Sequence, residues 1–339
     1  MTSILNRSRS AQQGFSLVEL MVALTLGLIV VAAAISILIA NRNTYATTQG
    51  LSRVQENARA SFELMARDIR NAGGNTCNSR AGMAVVNTLN NATANWWSNW
   101  GATGAGVIRG YGGAEALPGL AFGTAAAQRV DGTDALTVLS GSDRSVNVTA
   151  HDPGAGTFTV RAADHGFADG TLLLACGPNA EPTGVIRLGS IFQLTSGADS
   201  TTLANAEGGS SPGNATSSLG FSGAPFQFAP NTLISELRAT RWYVGNNGRG
   251  GRSLYQGVLV ANGVVQNQEV ADGVQDLQVT YLVPSAGGYI EAEAVGARWP
   301  EVTAVSLNLV QSSVDRVGTD RQALQRTLAS TVTLRSRNP

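Results

Sequence analysis

The chain is organised around Gly14-Phe15-Ser16-Leu17-Val18-Glu19 and the apolar run that continues from it. Residues 15–40 form 26 consecutive positions with a single charge, Glu19. An α-helix rises about 1.5 Å per residue, and about 20 residues cross the hydrocarbon core of a bilayer, so this run is long enough to span a membrane. A short polar leader with two basic residues, Arg7 and Arg9, precedes it.

This run differs from a secretory signal peptide, whose apolar region is about 7–15 residues long and ends in a small-residue cleavage site. From the residues alone it is a signal anchor, a single helix that stays in the membrane. Arg7 and Arg9 then hold the N-terminus in the cytoplasm. A signal anchor leaves Glu19 unexplained, because a carboxylate in a membrane helix is costly and usually marks function.

The stretch Gly14-Phe15-Ser16-Leu17-Val18-Glu19 resembles the class III signal of type IV pilins and of the pseudopilins of type II secretion. The resemblance implies that a prepilin peptidase cuts after Gly14 and that the new N-terminus, Phe15, is N-methylated. Within this family the subunit at the very tip often lacks the glutamate. The presence of Glu19 therefore implies that this subunit lies below another one.

Glu19 has a physical role in such a filament, whose core is made of bundled apolar helices. A lone carboxylate is penalised there, and so is a lone ammonium. A pair between Glu19 of one subunit and the amino group of Phe15 on a neighbour relieves both penalties and fixes the axial register. The alternative is that the Glu19 side chain only reaches the headgroup region.

The 23 basic and 23 acidic residues give a net charge of zero, so no bulk electrostatic argument favours nucleic acid or an anionic membrane as a partner. The two cysteines, Cys77 and Cys176, predict one disulfide in an exported chain, with two free buried thiols as the alternative. Neither a cofactor nor a metal is expected. A site at the two histidines, His151 and His165, would need a third group and a geometry that the sequence does not supply. The loop 164–170 has oxygen ligands but does not match the calcium-loop pattern, so calcium stays an open alternative.

The helix is expected to continue out of the membrane to Gly73-Gly74. Its apolar residues recur at spacings of three and four and so form one face. They are Leu51, Val54, Ala58, Phe62, Met65 and Ile69. We therefore divide the chain into a cleaved leader 1–14, a transmembrane or filament-core helix 15–40, an amphipathic continuation 41–74 and a β-rich globular head 75–339.

In the head, alternation of apolar and polar residues predicts strands at 135–139, 157–160, 171–176 and 190–195, and again from 241 to the C-terminus. Asn246–Gly251 and Asn262-Gly263 predict hairpin turns. Residues 197–225 are expected to be surface loops or poorly ordered. Trp96, Trp97 and Trp100 lie in a polar segment and are either a small core or a surface for a sugar or a partner; we favour the core.

The C-terminal half carries a second resemblance, to PilW-type minor pilins. It rests on 172–176 with 191–195, on 269–281, on 299–305 and on 331–337. The implied fold is α+β, with a long N-terminal helix packed on an antiparallel sheet. The nearest relatives in architecture are the J-type pseudopilins of type II secretion.

The expected function is that of a minor pilin, a structural subunit that primes type IV pilus assembly and lies at or near the pilus tip. Its partners would be the prepilin peptidase, other minor pilins, the major pilin and the inner membrane, with no nucleic acid required. The head would lie in the periplasm before the subunit joins a pilus at the cell surface. The alternatives are a J-like pseudopilin and a tip subunit that binds a receptor or captures DNA. No motif supports an enzyme, and no catalytic residue is expected.

Overall fold

The computed structural model describes residues 14, 16–74, 84–100, 106–178, 187–313 and 322–337. Helix α1, Leu17–Arg70, is a single element of 54 residues, which makes it about 81 Å long at 1.5 Å per residue. The first proline of the sequence is Pro118, so no proline interrupts this helix. The rest of the described chain is almost entirely strand, turn and loop. The α+β prediction, with one long N-terminal helix on a β-rich body, is confirmed.

Within the described residues, fourteen strands, one short α-helix and several 3₁₀ turns follow α1. The strands are β1 Ala84–Asn87, β2 Ile108–Tyr111, β3 Ala135–Asp152, β4 Thr157–Val160, β5 Leu172–Pro178, β6 Arg187–Gln193, β7 Thr202–Ala204, β8 Leu233–Asn246, β9 Arg252–Leu259, β10 Val265–Asp272, β11 Val274–Val283, β12 Gly288–Glu291, β13 Ala304–Ser312 and β14 Gln325–Thr333. Helix α2 is Ala292–Val295.

Ten of these strands form one sheet, and β8 lies at its centre. Strand β3 pairs along one edge of β8. The other edge is shared, with β5 on residues 233–236 and β9 on residues 240–246. The pairing of β1 with β6 is parallel, whereas the other strand pairs of the described residues are antiparallel. The long strand β8 therefore joins the two ends of this sheet.

The second sheet has four strands in the order β12-β11-β13-β14. Its inner face is built from alternating apolar residues, such as Val305, Leu307 and Leu309 of β13, which are at most 1% exposed. These side chains share one core cluster with Met65 and Ile69 of α1. The amphipathic half of the helix covers this sheet, as the pattern of apolar residues predicted.

The predicted strands are present, and both predicted hairpins are formed. Strand β8 ends at Asn246 and β9 begins at Arg252, while Leu259 of β9 pairs with Val265 of β10. Asn262 and Gly263 have φ values of 63° and 70°, the left-handed conformation that an Asn-Gly turn provides.

Strand β5 is buried on both faces, as its apolar sequence predicted. Leu173 and Ala175 face one cluster, which contains Phe158 and Phe192. Leu172, Leu174 and Cys176 face the other, which contains the three tryptophans. The ten-stranded sheet is thus covered by apolar side chains on both sides in this region.

The segment 197–225 is mostly loop at the surface, as expected, but it also holds a short strand and a few buried residues. It contributes β7 and buries Leu203 and Leu219 at 0% and 1% exposure. Asn214 is also buried. Its Oδ1 accepts a hydrogen bond from the N–H of Gln193, and its Nδ2 donates one to the carbonyl of Gln193. The Gly, Ser and Asn content that predicted loops here is typical of turns, and polar side chains such as that of Asn214 are bonded inside the head.

Candidate assembly site on the N-terminal helix

The helix begins with a side-chain cap. Ser16 has extended backbone angles, and its Oγ accepts a hydrogen bond from the backbone N–H of Glu19 at 3.1 Å. Ser and Glu at this spacing are typical of a helix start, because the N-terminal N–H groups have no partner within the helix. The Glu19 carboxylate lies in the first turn, where the helix dipole favours a negative charge. The local sequence therefore places Glu19 at the entry of the apolar helix.

The first half of α1 is apolar and is not packed against the head. Fifteen large apolar side chains between Leu17 and Ile39 are each more than half exposed. A helix of this length and hydropathy could cross a membrane by length and composition, and its most apolar window has no residue buried in the head. Such an exposed apolar cylinder is unfavourable in water. Lipid or other apolar helices would remove this surface from water.

The second half of α1 is anchored to the head by Asp68. The Asp68 Oδ2 atom accepts a hydrogen bond from the indole Nε1–H of Trp242 at 3.0 Å and another from the Gln256 amide at 2.9 Å. Trp242 is fully buried, and Asp68 is 8% exposed. Of the predicted apolar face, Val54, Ala58, Met65 and Ile69 are buried. Phe62 is half-buried, and Leu51 is exposed because it lies where the helix leaves the head. Asp68 was missed, although the spacing 61, 65, 68 and 72 places it on the buried face.

A second anchor lies where the chain leaves the helix. Ser336, from the C-terminal end of the chain, donates its hydroxyl to the carbonyl of Ala72 at 2.6 Å. Gly73 follows with a φ of +70°, and its N–H donates to the carbonyl of Leu139 at 2.8 Å. A Cβ at Gly73 would lie 2.9 Å from the Ser336 hydroxyl. The Gly73-Gly74 stop is therefore a close backbone approach as well as a helix end.

The processing residues are only partly within the described chain. Gly14 is described and exposed, next to the helix cap. Phe15 lies outside the described residues, so cleavage after Gly14 and methylation of Phe15 stay predictions. Cys77 also lies outside them, whereas Cys176 is buried in β5 at 9% exposure. The disulfide between them stays a prediction.

The three tryptophans are core residues, as favoured from the sequence. Trp96, Trp97 and Trp100 are 9%, 5% and 7% exposed. The indole N–H of Trp100 donates to the carbonyl of Trp97 at 2.6 Å. Their cluster packs against Leu139 and Leu172 of the ten-stranded sheet.

Both histidines are also buried. The Nδ1 atom of His151 accepts a hydrogen bond from the N–H of Phe228 at 3.0 Å. The His151 ring stacks on the Phe158 ring, with 4.1 Å between the ring centroids. Burial lowers the pKa of His151 to about 4, although Asp152 opposes the shift. His165 Nδ1 accepts from the N–H of Phe167 at 3.0 Å. Neither ring lies in a set of metal ligands: the described residues hold no group of three or more His, Cys, Asp or Glu side chains suited to a metal.

Two buried arginines were not foreseen from the sequence. Arg129 is fully buried and donates to four backbone carbonyls, those of Tyr111, Gly112, Glu115 and Thr133. Burial lowers its pKa from the ordinary value. Arg241 is 3% exposed and donates to Asn267 at 2.9 Å. A buried guanidinium surrounded by carbonyls organises loops, and nothing in the local sequence distinguishes it from a solvated arginine.

Comparisons with known families match the two ends of the chain. The prokaryotic N-terminal methylation motif matches residues 9–35. The family model described as type IV pilus-assembly protein W matches residues 241–337. A search of curated proteins found no match. The first match contains Gly14, Phe15 and Glu19, and the second contains the strands that receive the helix.

Proposed function

Because the two family matches support a PilW-like type IV pilin, we propose that this chain is a minor pilin that primes pilus assembly and lies at or near the pilus tip. The observation that supports this most is the division of α1 into an exposed apolar half and a half packed on the head. A subunit built in this way offers its first half to other subunits. Pilin-family domains are structural subunits, and we assign no reaction to this chain.

The proposal includes processing at the N-terminus. The prepilin peptidase would cut after Gly14, which is exposed beside the helix cap. Phe15 would then become the N-methylated first residue of the mature chain, and Glu19 the fifth. Before assembly the subunit would span the inner membrane once, with its N-terminus in the cytoplasm and its head in the periplasm. It would meet other minor pilins and the major pilin there, without nucleic acid.

Glu19 would fix the register between neighbouring subunits. It is the only charge in the exposed apolar half of the helix up to Ala40. When these helices pack together, the Glu19 carboxylate loses water, and the amino group of Phe15 on a neighbour is the one opposite charge that the motif supplies. Breaking such a buried pair by removing one partner costs about 3–5 kcal/mol, because the other charge is left uncompensated.

Mass spectrometry of the mature N-terminus tests the processing step. In cells with the peptidase we expect a chain that begins with N-methyl-phenylalanine at Phe15. In cells without the peptidase we expect the leader to be retained. A chain that keeps residues 1–14 in both strains would refute the proposed processing.

Filament incorporation of Glu19→Ala tests the register role. We expect this variant to insert in the membrane in normal amounts and to be lost from sheared pili. Glu56→Ala is the matched control, because Glu56 is an exposed glutamate on the same helix beyond the apolar half. Equal recovery of both variants in pili would refute the role of Glu19.

The match to a pilus-assembly protein favours the pilus over type II secretion. Deletion of this gene should therefore reduce the number of pili, while secretion of exported enzymes continues. Immunogold labelling of the head should mark pilus ends. Labels spread evenly along the fibre would refute the tip position, and lost secretion with normal pili would support the pseudopilin alternative.

A further inference from the structure

Strand β10 is an open edge of the ten-stranded sheet. It pairs with β9 on one side, and no other strand of the described residues pairs with it. The register with β9 shifts between Glu269 and Ala271, so the regular part of this edge is 265–269. Residues 266–269 are exposed, and the stretch contains no proline and no basic residue, which commonly protect a free edge. The edge is therefore accessible to another strand.

Three residues of this edge direct their main-chain groups away from β9. The N–H of Val260 donates to the carbonyl of Val264 at 2.8 Å and closes the hairpin. Bonded and non-bonded pairs alternate along an antiparallel ladder, so this closure turns Val265, Asn267 and Glu269 outward. Within the described residues their outward N–H and C=O groups make no hydrogen bond. The edge thus offers three donors and three acceptors in a row, the pattern that an extended polypeptide complements.

One face of the edge is bordered by apolar side chains of the helix joint. Gln268 lies opposite Gln256, whose amide bonds Asp68 of α1, so this face of β10 points toward the helix. Leu64 precedes Asp68 by one helical turn and lies on the same flank. Leu64 and Val270 are both half-buried at the margin of the core under α1. An added strand would therefore cover apolar surface here with every second side chain.

The fold argues against a second copy as the added strand. Antiparallel pairing of β10 with β10 of another copy would relate the two molecules by a two-fold axis through the sheet. Because α1 packs on a face of this sheet, the axis would reverse the direction of one helix relative to the other. Under the proposed function, the helices of all subunits point the same way in the membrane. The added strand therefore belongs to a different chain.

We propose that a strand from the head of a neighbouring, different pilin subunit adds to β10 at 265–269 and extends the ten-stranded sheet across two subunits. Main-chain hydrogen bonds to Val265, Asn267 and Glu269 supply the attachment, and a side chain beside Leu64 and Val270 sets the register. The identity of the partner as a pilin rests on the proposed function, whereas the open edge does not.

Amide hydrogen exchange with single-residue resolution tests this inference on the full mature chain in detergent. The probes are the major pilin and each of the other minor pilins of the same cell, purified one at a time. Without a probe, the amides of Val265, Asn267 and Glu269 should exchange quickly, because only water bonds them. One probe should slow these three amides about tenfold or more, while the amides of Gln266 and Gln268, already bonded to β9, change little.

Two results of this experiment would overturn the inference. The first is that no probe produces the alternating protection. The second is that the chain alone produces it as its concentration rises, because the added strand would then come from a second copy.

Two variants at one residue isolate the main-chain contribution. Asn267→Pro removes the outward N–H, and proline is tolerated on an edge strand where that group faces solvent. Asn267→Ala is the matched control, because it loses the same side-chain bond to Arg241 and keeps the N–H. Binding of the protecting probe should be about tenfold or more weaker in Asn267→Pro than in Asn267→Ala. Equal binding of the two folded variants would overturn the inference. If the proline variant does not fold, the exchange pattern of the unmodified chain decides.

The strand addition and the proposed function fail separately. A chain that begins at Phe15 and enters pili, but is not protected at β10 by any probe, would overturn the strand addition and leave the proposed function intact. A chain that keeps its leader, yet is protected at β10 by one of the probes, would refute the processing and support the strand addition.

Discussion

Removal of the Asp68 carboxylate should loosen the joint between the long helix and the head. Asp68 is on α1, and its two donors are on neighbouring strands, Trp242 on β8 and Gln256 on β9. Both hydrogen bonds end on the same oxygen, Oδ2. A single substitution, Asp68→Ala, therefore leaves two donors without an acceptor and leaves the rest of the packing in place.

The expected magnitude follows from burial. Trp242 is fully buried, so its N–H finds no water and costs about 1–3 kcal/mol when left unpaired. Gln256 is half-buried and can turn toward solvent, so its loss is near that of an ordinary hydrogen bond, about 1 kcal/mol. Asp68→Ala should thus lower the free energy of unfolding by about 3 kcal/mol. Asp68→Asn keeps an acceptor oxygen and loses only the charge assistance, so it should cost about 1 kcal/mol.

The assay is urea unfolding of the full chain in detergent, followed by near-ultraviolet circular dichroism of the tryptophans. Glu63→Ala is the control, because Glu63 is an exposed acid on the same helix, and its effect should stay within about 0.5 kcal/mol. Hydrogen exchange should also rise in residues 61–70 of Asp68→Ala only. An Asp68→Ala midpoint equal to that of Glu63→Ala would show that packing alone holds the helix.

Three further outcomes are expected. Burial lowers the folded-state pKa of His151 from 6.5 to about 4, so the free energy of unfolding should fall as pH falls through this interval. His151→Asn keeps an acceptor for Phe228 but does not titrate. The drop in the free energy of unfolding between pH 7 and pH 4 should therefore be about 3 kcal/mol smaller in this variant than in the unmodified chain. Tyr281→Phe should stabilise the head by about 1 kcal/mol in thermal unfolding, because the buried Tyr281 hydroxyl has no partner among the described residues; a lower melting temperature would contradict this. Arg129→Lys should cost about 2 kcal/mol or more in urea unfolding, because one ammonium cannot replace a planar group bound to four carbonyls; Arg326→Lys, at an exposed position, is the control.

Much of the architecture could be predicted because it depends on local patterns. The run from Leu17, the alternation in β11 and β13, and the Asn262-Gly263 turn each follow from the side chains of consecutive residues. The same holds for the stop at Gly73 and for the buried face of Val54, Ala58, Met65 and Ile69. These features need no knowledge of what lies opposite them in the fold.

The features that could not be predicted depend on distant partners. Asp68 is bonded to residues 174 and 188 positions away, and Arg129 gains its role only when the carbonyls of residues 111–115 and of Thr133 meet around it. Asn99 looks like any loop asparagine, yet the fold buries its Oδ1 atom. Within 197–225 the loops were predicted, but the burial of Leu203, Asn214 and Leu219 was not, because buried polar turns and solvated loops have the same composition.

The helix that begins in the first family match is joined by Asp68 to strands of the second, through Trp242 and Gln256. One match covers the apolar start of α1, and the other begins at Arg241, next to Trp242. Between Glu19 and Asp68 the helix is unbroken, so 49 residues at about 1.5 Å each form a rod of about 74 Å. Under the proposed pairing, a slip of one residue at Glu19 would move the head by about 1.5 Å and turn it by about 100°. A register fixed at Glu19 therefore sets both the height and the direction of the head, provided that the anchors at Asp68 and Ser336 hold.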